Sequence, residues 1–329
     1  MHANRRSLIS RALRTAAALG AGLVFSTAMA QDGKTVRLMV GFPAGGGSDA
    51  IARLLADKLR APLGNNVVVE NRAGAGGQIA AQALKAAAPD GSVLFLSHDH
   101  SISILPLTLK NPGFQPETDF TPVAGIGTFV NAFAVSGGTP VTTFAGYVDW
   151  VKSKKDGKSA VGIPAPASTP DFLVKVIAEK YQLDLVSAPY RGSAPMITDM
   201  LGNQIAAGVG SVQDFVENHK VGKIRVVAVL GAQRQSALPD VPTFDEIGLK
   251  GFEDLPYYGI YAPKGTPAAE VKRLSDAVAQ VLALNDVQNQ LVALGINVEY
   301  MSGEQLDKRQ RAYTKAWSGI ISKSGYQPQ

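Results

Sequence analysis

The 329-residue chain has no cysteine. Disulfides, thiolate nucleophiles and cysteine-held metals are therefore excluded. Histidine is scarce, with only His2, His98, His100 and His219 in the whole sequence. Neither a G-x-S-x-G elbow nor an H-E-x-x-H helix occurs, so the common hydrolase and metalloprotease patterns are missing. Beyond the N-terminal region no apolar run reaches the roughly 20 residues of a membrane span. A large charge of one sign is missing as well. Residues 1–30 read as an export signal: Arg5, Arg6, Arg11 and Arg14 lead, Ala16 to Phe25 form a short apolar core, and Ala28-Met29-Ala30 offers a small-x-small cleavage site before Gln31. Arg5-Arg6-Ser7-Leu8 also fits a twin-arginine start, so export by the Sec or the twin-arginine route stays open. Taking those four Arg from 32 basic residues leaves 28 against 27 acids. The basic balance thus belongs to the discarded segment, and no nucleic-acid partner is indicated.

What remains is large enough for two lobes. Strand-like runs near 35–41, 66–70, 92–97, 129–135, 159–163, 185–189, 205–210, 224–230 and 257–262 alternate with helical patterns. The helices fall near 49–60, 78–87, 143–153, 171–181, 193–201, 213–219, 267–283, 286–294 and 302–323. Such alternation predicts mainly parallel sheets flanked by helices. Gln115–Pro122 and Leu238–Leu255, rich in Pro and acids, read as linkers. Two crossings divide the chain into residues 31–127 plus 253–329 for one lobe and 128–252 for the other. Leu274, Val278, Val281 and Leu282 form an apolar stripe that would cover the first lobe.

Four strand-to-helix loops are rich in Gly, Ser, Thr and Pro: Phe42-Pro43-Ala44-Gly45-Gly46-Gly47-Ser48-Asp49, Ala73-Gly74-Ala75-Gly76-Gly77, Pro166-Ala167-Ser168-Thr169-Pro170 and Pro189-Tyr190-Arg191-Gly192-Ser193. In open α/β sheets ligands collect at the C-terminal strand ends. Bare amides at a helix start suit an anion. No Lys follows the glycines, so the first loop is not a nucleotide P-loop. Phe42, Ala44, Gly45, Gly46 and Ser48 are the leading candidates there, while Asp49 serves either the ligand or the helix cap. Gly76 and Gly77 repeat the pattern. Ser168 and Thr169 can cap a helix and donate to a carboxylate. Arg191 offers a two-point carboxylate contact or a solvated charge, beside Tyr190 and Gly192. Tyr257 and Tyr258 are candidate cleft walls. His98 and His100 share a face in an extended run. A third ligand for zinc is not evident, so they read as donors to a second acid group, with binding weakening as pH rises through the His pKa.

In register across the segment after the signal, six pieces carry a further reading: the first loop, Val68-Val69-Glu70-Asn71-Arg72-Ala73-Gly74-Ala75-Gly76-Gly77, Ala88-Pro89-Asp90-Gly91, Pro189-Tyr190-Arg191-Gly192-Ser193-Ala194-Pro195, Leu238-Pro239-Asp240-Val241-Pro242-Thr243 and Ala262-Pro263-Lys264-Gly265-Thr266-Pro267. Together they resemble the Bug family of periplasmic solute receptors of tripartite tricarboxylate transporters. The resemblance implies a two-lobed periplasmic-binding-protein (Venus flytrap) α/β fold with the ligand cleft between lobes. It implies small carboxylic acids as ligands, held by backbone amides, hydroxyls and waters, and delivery to membrane translocator subunits or a signalling role. It implies no catalysis and no cofactor, and a monomer is expected. A periplasmic hydrolase is the rival, with no activated nucleophile to support it. Three places depart from the family pattern: His98-Asp99-His100-Ser101 where small hydroxyl residues are common, Phe172 where His is frequent, and Gly210 where Asp is frequent. All three bear on the distal end of the ligand.

Overall fold

A computed structural model describes residues 35–154, 158–250 and 255–329. The expected signal segment, 1–30, lies outside these residues, as does the lobe boundary expected at 252/253. The described chain from Thr35 onward builds two mixed sheets flanked by helices.

The first sheet has the order β11-β4-β10-β3-β1-β2. Its opening unit is β1 (Val36–Val40), α1 (Gly47–Leu63), β2 (Val67–Asn71), α2 (Gln78–Lys85) and β3 (Val93–His98). β1 pairs in parallel with β2 and β3, and its Val36, Leu38, Met39 and Val40 are buried, as a central parallel strand requires. α1 turns Ile51, Leu55 and Leu59 inward and ends at Gly64, whose φ of 63° is the left-handed stop glycine supplies readily. β4 (Phe120–Thr128) follows, at the other side of β10 (Tyr257–Pro263).

The chain then crosses into the second sheet, order β7-β6-β8-β5-β9. It comprises β5 (Asn131–Ser136), α3 (Phe144–Ser153), β6 (Lys158–Ile163), α4 (Thr169–Tyr181), β7 (Asp184–Pro189), α5 (Ser193–Leu201), β8 (Ala207–Ser211), α6 (Val212–Lys220) and β9 (Ile224–Val229). After β9 the chain returns to the first sheet with β10. It finishes with α7 (Ala268–Leu282), α8 (Asn285–Ala293), β11 (Asn297–Ser302) and α9 (Gly303–Lys323).

The expectation of mainly parallel sheets needs refinement. β10 runs antiparallel to both β3 and β4, and β11 is antiparallel to β4. β5 is antiparallel to β8 and β9. β5 and β10 are the strands that arrive from the other sheet, so they enter against the direction of their neighbours. β4 and β11 escaped the sequence reading. β4 carries Pro122, Gly125 and Gly127, residues depleted in strands. β11 is mostly solvent-facing and lacks a buried run. The expected linker Gln115–Pro122 holds a short helical turn, Pro116–Asp119, and the start of β4.

The stripe Leu274, Val278, Val281 and Leu282 packs with Leu38, Ile51 and Leu55 in the first sheet's core. α9 starts on a reciprocal cap between Ser302 and Gln305. Its Trp317 lies 5.4 Å, ring to ring, from Phe172 of α4. Phe172 is thereby buried beneath the last helix, and the expectation that it faces the ligand is corrected.

Candidate ligand-binding site

One cavity lies at the C-terminal ends of strands from both sheets. The first sheet contributes Phe42, Pro43, Gly46, Gly47 and Ser48 after β1, His98 to His100 after β3, and Tyr258. The second contributes Asn131, the Pro164–Pro170 turn, Ser193, Ser211 and Asp214, with Phe129 at the crossing. About 40 Å³ is open to the centres of water-sized molecules, room for roughly three waters at 10–15 Å³ each. Four helices of nine residues or more begin at its wall: α1, α4, α5 and α6. Each start carries roughly half a positive charge from its free amides.

Two of the first loop's donors are already occupied. The Gly45 amide donates to Asp49 Oδ2 at 3.0 Å, and the Gly47 amide donates to Asp214 Oδ1 at 3.0 Å. Gly46 and Ser48 take no hydrogen bond through their amides among the described residues. The bare anion cradle expected at the glycines is thus narrowed to Gly46 and Ser48. Asp49 serves structure: besides Gly45 it accepts from Arg53 Nε at 2.8 Å and Asn71 Nδ2 at 3.0 Å. Burial pushes its carboxyl up, but these donors outweigh burial and hold it below the ordinary range.

Asp214 is the feature that glycine-centred reading missed. Ser211-Val212-Gln213-Asp214 has the spacing of a capping box, which was the available signal. Asp214 Oδ2 accepts from the Ser211 amide at 3.0 Å and from Ser193 Oγ at 2.7 Å, while Oδ1 reaches Gly47 in the other half. Burial pushes its pKa up, against the three donors. A Cβ at Gly210 would sit 3.2 Å from Asp214 Oδ2, so the space beside Gly210 is taken by the carboxylate of α6. Tyr258 adds a second bridge: Gln213 Nε2 donates to its hydroxyl at 2.8 Å, and Ser48 Oγ lies 3.1 Å away. Burial raises the Tyr258 pKa, so the phenol stays protonated.

Aromatic rings close one wall. Phe42 stacks on His98 at 4.9 Å, and Tyr258 meets the same imidazole edge-on at 5.6 Å. Behind it, Asp99 accepts from the Tyr313 hydroxyl at 3.0 Å and lies 3.3 Å from His98 Nδ1. That nitrogen is also 3.3 Å from the His100 amide; it cannot donate to the carboxylate and accept from the amide at once. The hydrogen bond is the His100 amide donating to Nδ1, which leaves Nε2 as the ring's N–H.

His100 is fully enclosed, and neither ring nitrogen has a partner among the described residues. Burial pushes its pKa down to about 4, with His98 adding to the fall and Asp99 opposing it. The expectation that His100 offers a positive charge to the ligand is corrected: burial keeps it neutral at physiological pH. A pH dependence of stability follows. The folded pKa lies below the ordinary 6.5, so as pH falls through 6.5 the unfolded chain takes up the proton first. Stability contributed by the neutral ring is complete above 6.5 and lost down to about pH 4, an effect on the order of 3 kcal/mol. The raised Asp214 pKa has the opposite slope. Comparing urea unfolding of the wild type and His100→Gln between pH 7 and 4.5 isolates the His100 share. The substituted chain should lose less stability on acidification, and equal losses would remove His100 as the titrating group.

Of the expected site residues, Phe42, Gly46, Ser48, His98, Ser168 and Thr169 line the cavity. Ala44 and Gly45 are exposed outside it. Gly76 and Gly77 stand behind the wall. A Cβ on Gly76 would meet His100 Nε2 at 2.7 Å, and one on Gly77 would meet Ser101 Oγ at 2.2 Å. At φ of 65° and 97° they make room for the residues after β3. Tyr190 donates to Asp199 Oδ2 at 2.7 Å and faces away from the cavity. Arg191 is exposed to solvent rather than directed at a ligand. Gly192 is a point of close approach: a Cβ there would lie 2.6 Å from Pro43 Cδ in the other half. Among the described residues no cluster of three or more His, Asp or Glu could hold a metal.

Two mixed sheets meeting around a cavity ringed by helix starts define a two-lobed periplasmic-binding-protein fold. The sequence pattern described as the tripartite tricarboxylate transporter family receptor matches residues 51–326. The chain belongs to that family. It is 30% identical to a protein encoded in the gbd 5' region of Cupriavidus necator, over 98% of each chain. It is 28% identical to the protein BugT of Bordetella pertussis, over 89% of this chain and 90% of that one. Among solved structures it is similar to the periplasmic binding protein BugD, with a TM-score of 0.83 and 31% identity over 90% of this chain and 99% of BugD. A Rhodopseudomonas palustris protein solved with adipate gives 0.84 and 28% over 90% and 98%. MatC of the same species, with bound malate, gives 0.79 and 26% over 87% and 98%. No helix among the described residues is long and apolar enough to cross a membrane.

Proposed function

We propose that this protein is an exported, periplasmic solute receptor that closes on a small organic carboxylate and delivers it to the membrane subunits of a tripartite transporter. The observation that carries the reading is the cavity itself: four helix starts and a ring of hydroxyls converge from both sheets. Adipate and malate in two similar structures support a carboxylate as ligand. The carboxylate oxygens accept from the Gly46 and Ser48 amides on one side and, on the other, from the Ser211 hydroxyl of the second sheet, which accepts from the Asp214 amide and keeps its own proton to give. Residues 31–127 plus 253–329 form one lobe and 128–252 the other, and the receptor acts as a monomer without cofactor.

Closure follows from the donors' arrangement. A ligand that satisfies donors of both lobes binds the closed form better than the open one. Moving a population from mostly open to mostly closed takes about 5.5 kcal/mol of preference. Two to four hydrogen bonds to a charged acceptor, at roughly 1.5–3 kcal/mol each, supply it.

The rival hydrolase finds no support in three of the lining serines, whose hydroxyls are committed elsewhere. Ser168 donates to the Ala165 carbonyl at 2.7 Å, Ser193 to Asp214, and Ser48 pairs with Tyr258. No serine–histidine pair is among them. A sensor role uses the same closed form with a different reader.

Thermal shift of the purified chain against formate, acetate, succinate, adipate, malate and benzoate, each beside its fully methylated ester, tests the reading. At least one acid at 100 times its Kd should add about 2.7 kcal/mol of stability, and its ester none. Esters that stabilise as well as acids would refute carboxylate capture.

A further inference from the structure

We propose that the ligand of this receptor is a monocarboxylate whose far end is a hydrogen-bond donor (an amide, hydroxyl or ammonium) and that the cavity rejects a second carboxylate. The inference rests on the carboxylate reading above and narrows it.

Charge in the cavity wall carries the first step. Among its described lining residues there is no Lys or Arg, while Asp99 is buried there and Asp214 half-buried. The positive potential of the four helix starts is therefore largely answered by the protein's own two carboxylates. Asp214 sits on the α1 and α6 starts through the Gly47 and Ser211 amides. Asp99 takes one donor from Tyr313 and one contact from His98. One ligand carboxylate finds the remaining Gly46 and Ser48 amides. A second one has no cation to meet and lies in the field of Asp99.

The second step is the unpartnered polar surface of the same cavity. Both ring nitrogens of His100 and Oγ1 of Thr169 are buried without a hydrogen-bond partner among the described residues, and both residues line the cavity. His100 and Thr169 are 3% and 4% exposed, so a ligand group that fails to satisfy them leaves them unpaired. A neutral imidazole presents one acceptor and one N–H, and a hydroxyl presents both roles. With Asp99 adjoining, acceptors outnumber donors, and a group bearing N–H or O–H fits. Gly76 maintains this surface, since any Cβ there would strike His100 Nε2.

Matched pairs differing only in the far end give the test: succinate against succinamate, malonate against malonamate, adipate against adipamate, by calorimetry on the purified chain at pH 7.5. In the best-binding pair the amic acid should bind at least tenfold tighter than the diacid. A diacid that binds equally or more tightly in that pair overturns the inference while leaving carboxylate capture standing. If no member of any pair binds, and the acids of the wider panel fail too, the carboxylate reading falls and this inference with it. Asp99→Asn keeps the shape and an acceptor for Tyr313 but removes the charge. It should tighten the diacid at least tenfold and narrow the preference, and an unchanged ratio would overturn the role of Asp99.

Discussion

Gly47→Val should weaken binding of the best carboxylate at least 100-fold while leaving the melting temperature of the unliganded chain within about 2 °C. Gly47 opens α1, a position where most residues are tolerated, and its φ is not in the left-handed region. The objection to a side chain is purely steric. A Cβ there would sit 2.3 Å from Gln213 Cγ and 3.0 Å from Asp214 Oδ1, both on the opposing half. Valine would wedge apart the contacts that the closed form brings together. Within one lobe nothing is disturbed, so folding is spared. A 100-fold loss is about 2.7 kcal/mol, less than the preference for closure estimated above. Calorimetry gives the affinity, and small-angle scattering with and without ligand shows whether compaction is lost. Affinity within threefold of wild type would mean that the Gly47–Gln213 approach is not part of the bound state. Gly46 is the contrasting position. A Cβ there meets only the Pro43 carbonyl at 3.8 Å, so Gly46→Ala should be tolerated, although the sequence reading names Gly46, and not Gly47, among the leading candidates.

Asp214→Ala should lower the stability of the unliganded chain by about 2–4 kcal/mol. The substitution removes one acceptor and leaves two part-buried donors of its own half, the Ser211 amide and the Ser193 hydroxyl; the Gly47 amide of the other half meets it only when the halves are closed. Each unsatisfied buried group costs roughly 1–3 kcal/mol, and part of that is recovered because the lost carboxylate no longer has to be buried. Burial already strains the charged form, as its raised pKa records. Asp214→Asn retains one oxygen but turns an amide N–H₂ toward a donor, so it should fall between Ala and wild type. Urea unfolding of the three chains at pH 7.5 provides the ranking. Equal midpoints for Ala and wild type would show that the two donors find water instead, and would remove Asp214 as the residue that holds them.

Much of the fold was legible because its signals are local. Strand runs such as Val36–Val40 and Lys158–Ile163 lie between glycine- or proline-bearing turns, and the helices after them carry their apolar stripes at helical spacing. Loops Phe42–Asp49 and Pro166–Pro170 were recognisable by composition, and both reach the cavity. The loop ending in Gly76 and Gly77 has the same composition but supports His100 and Ser101. No local signal separates a glycine that faces a ligand from one that makes room for a neighbour. Arg191 illustrates the same limit: a cation in a binding-type loop that is exposed and lines no part of the cavity.

The sequence by itself determined the alternation of strands and helices, the glycine- and hydroxyl-rich turns and, through their resemblance to known receptors, the family. All of these depend on neighbours a few residues apart. Only the tertiary structure decided which donors stay free, because the Gly47 amide meets a carboxylate 167 positions away in sequence. It alone decided that His100 is neutral and Asp99 enclosed, since burial is a property of what packs around a residue, and that packing comes from Tyr313 and Gly76 on two distant segments.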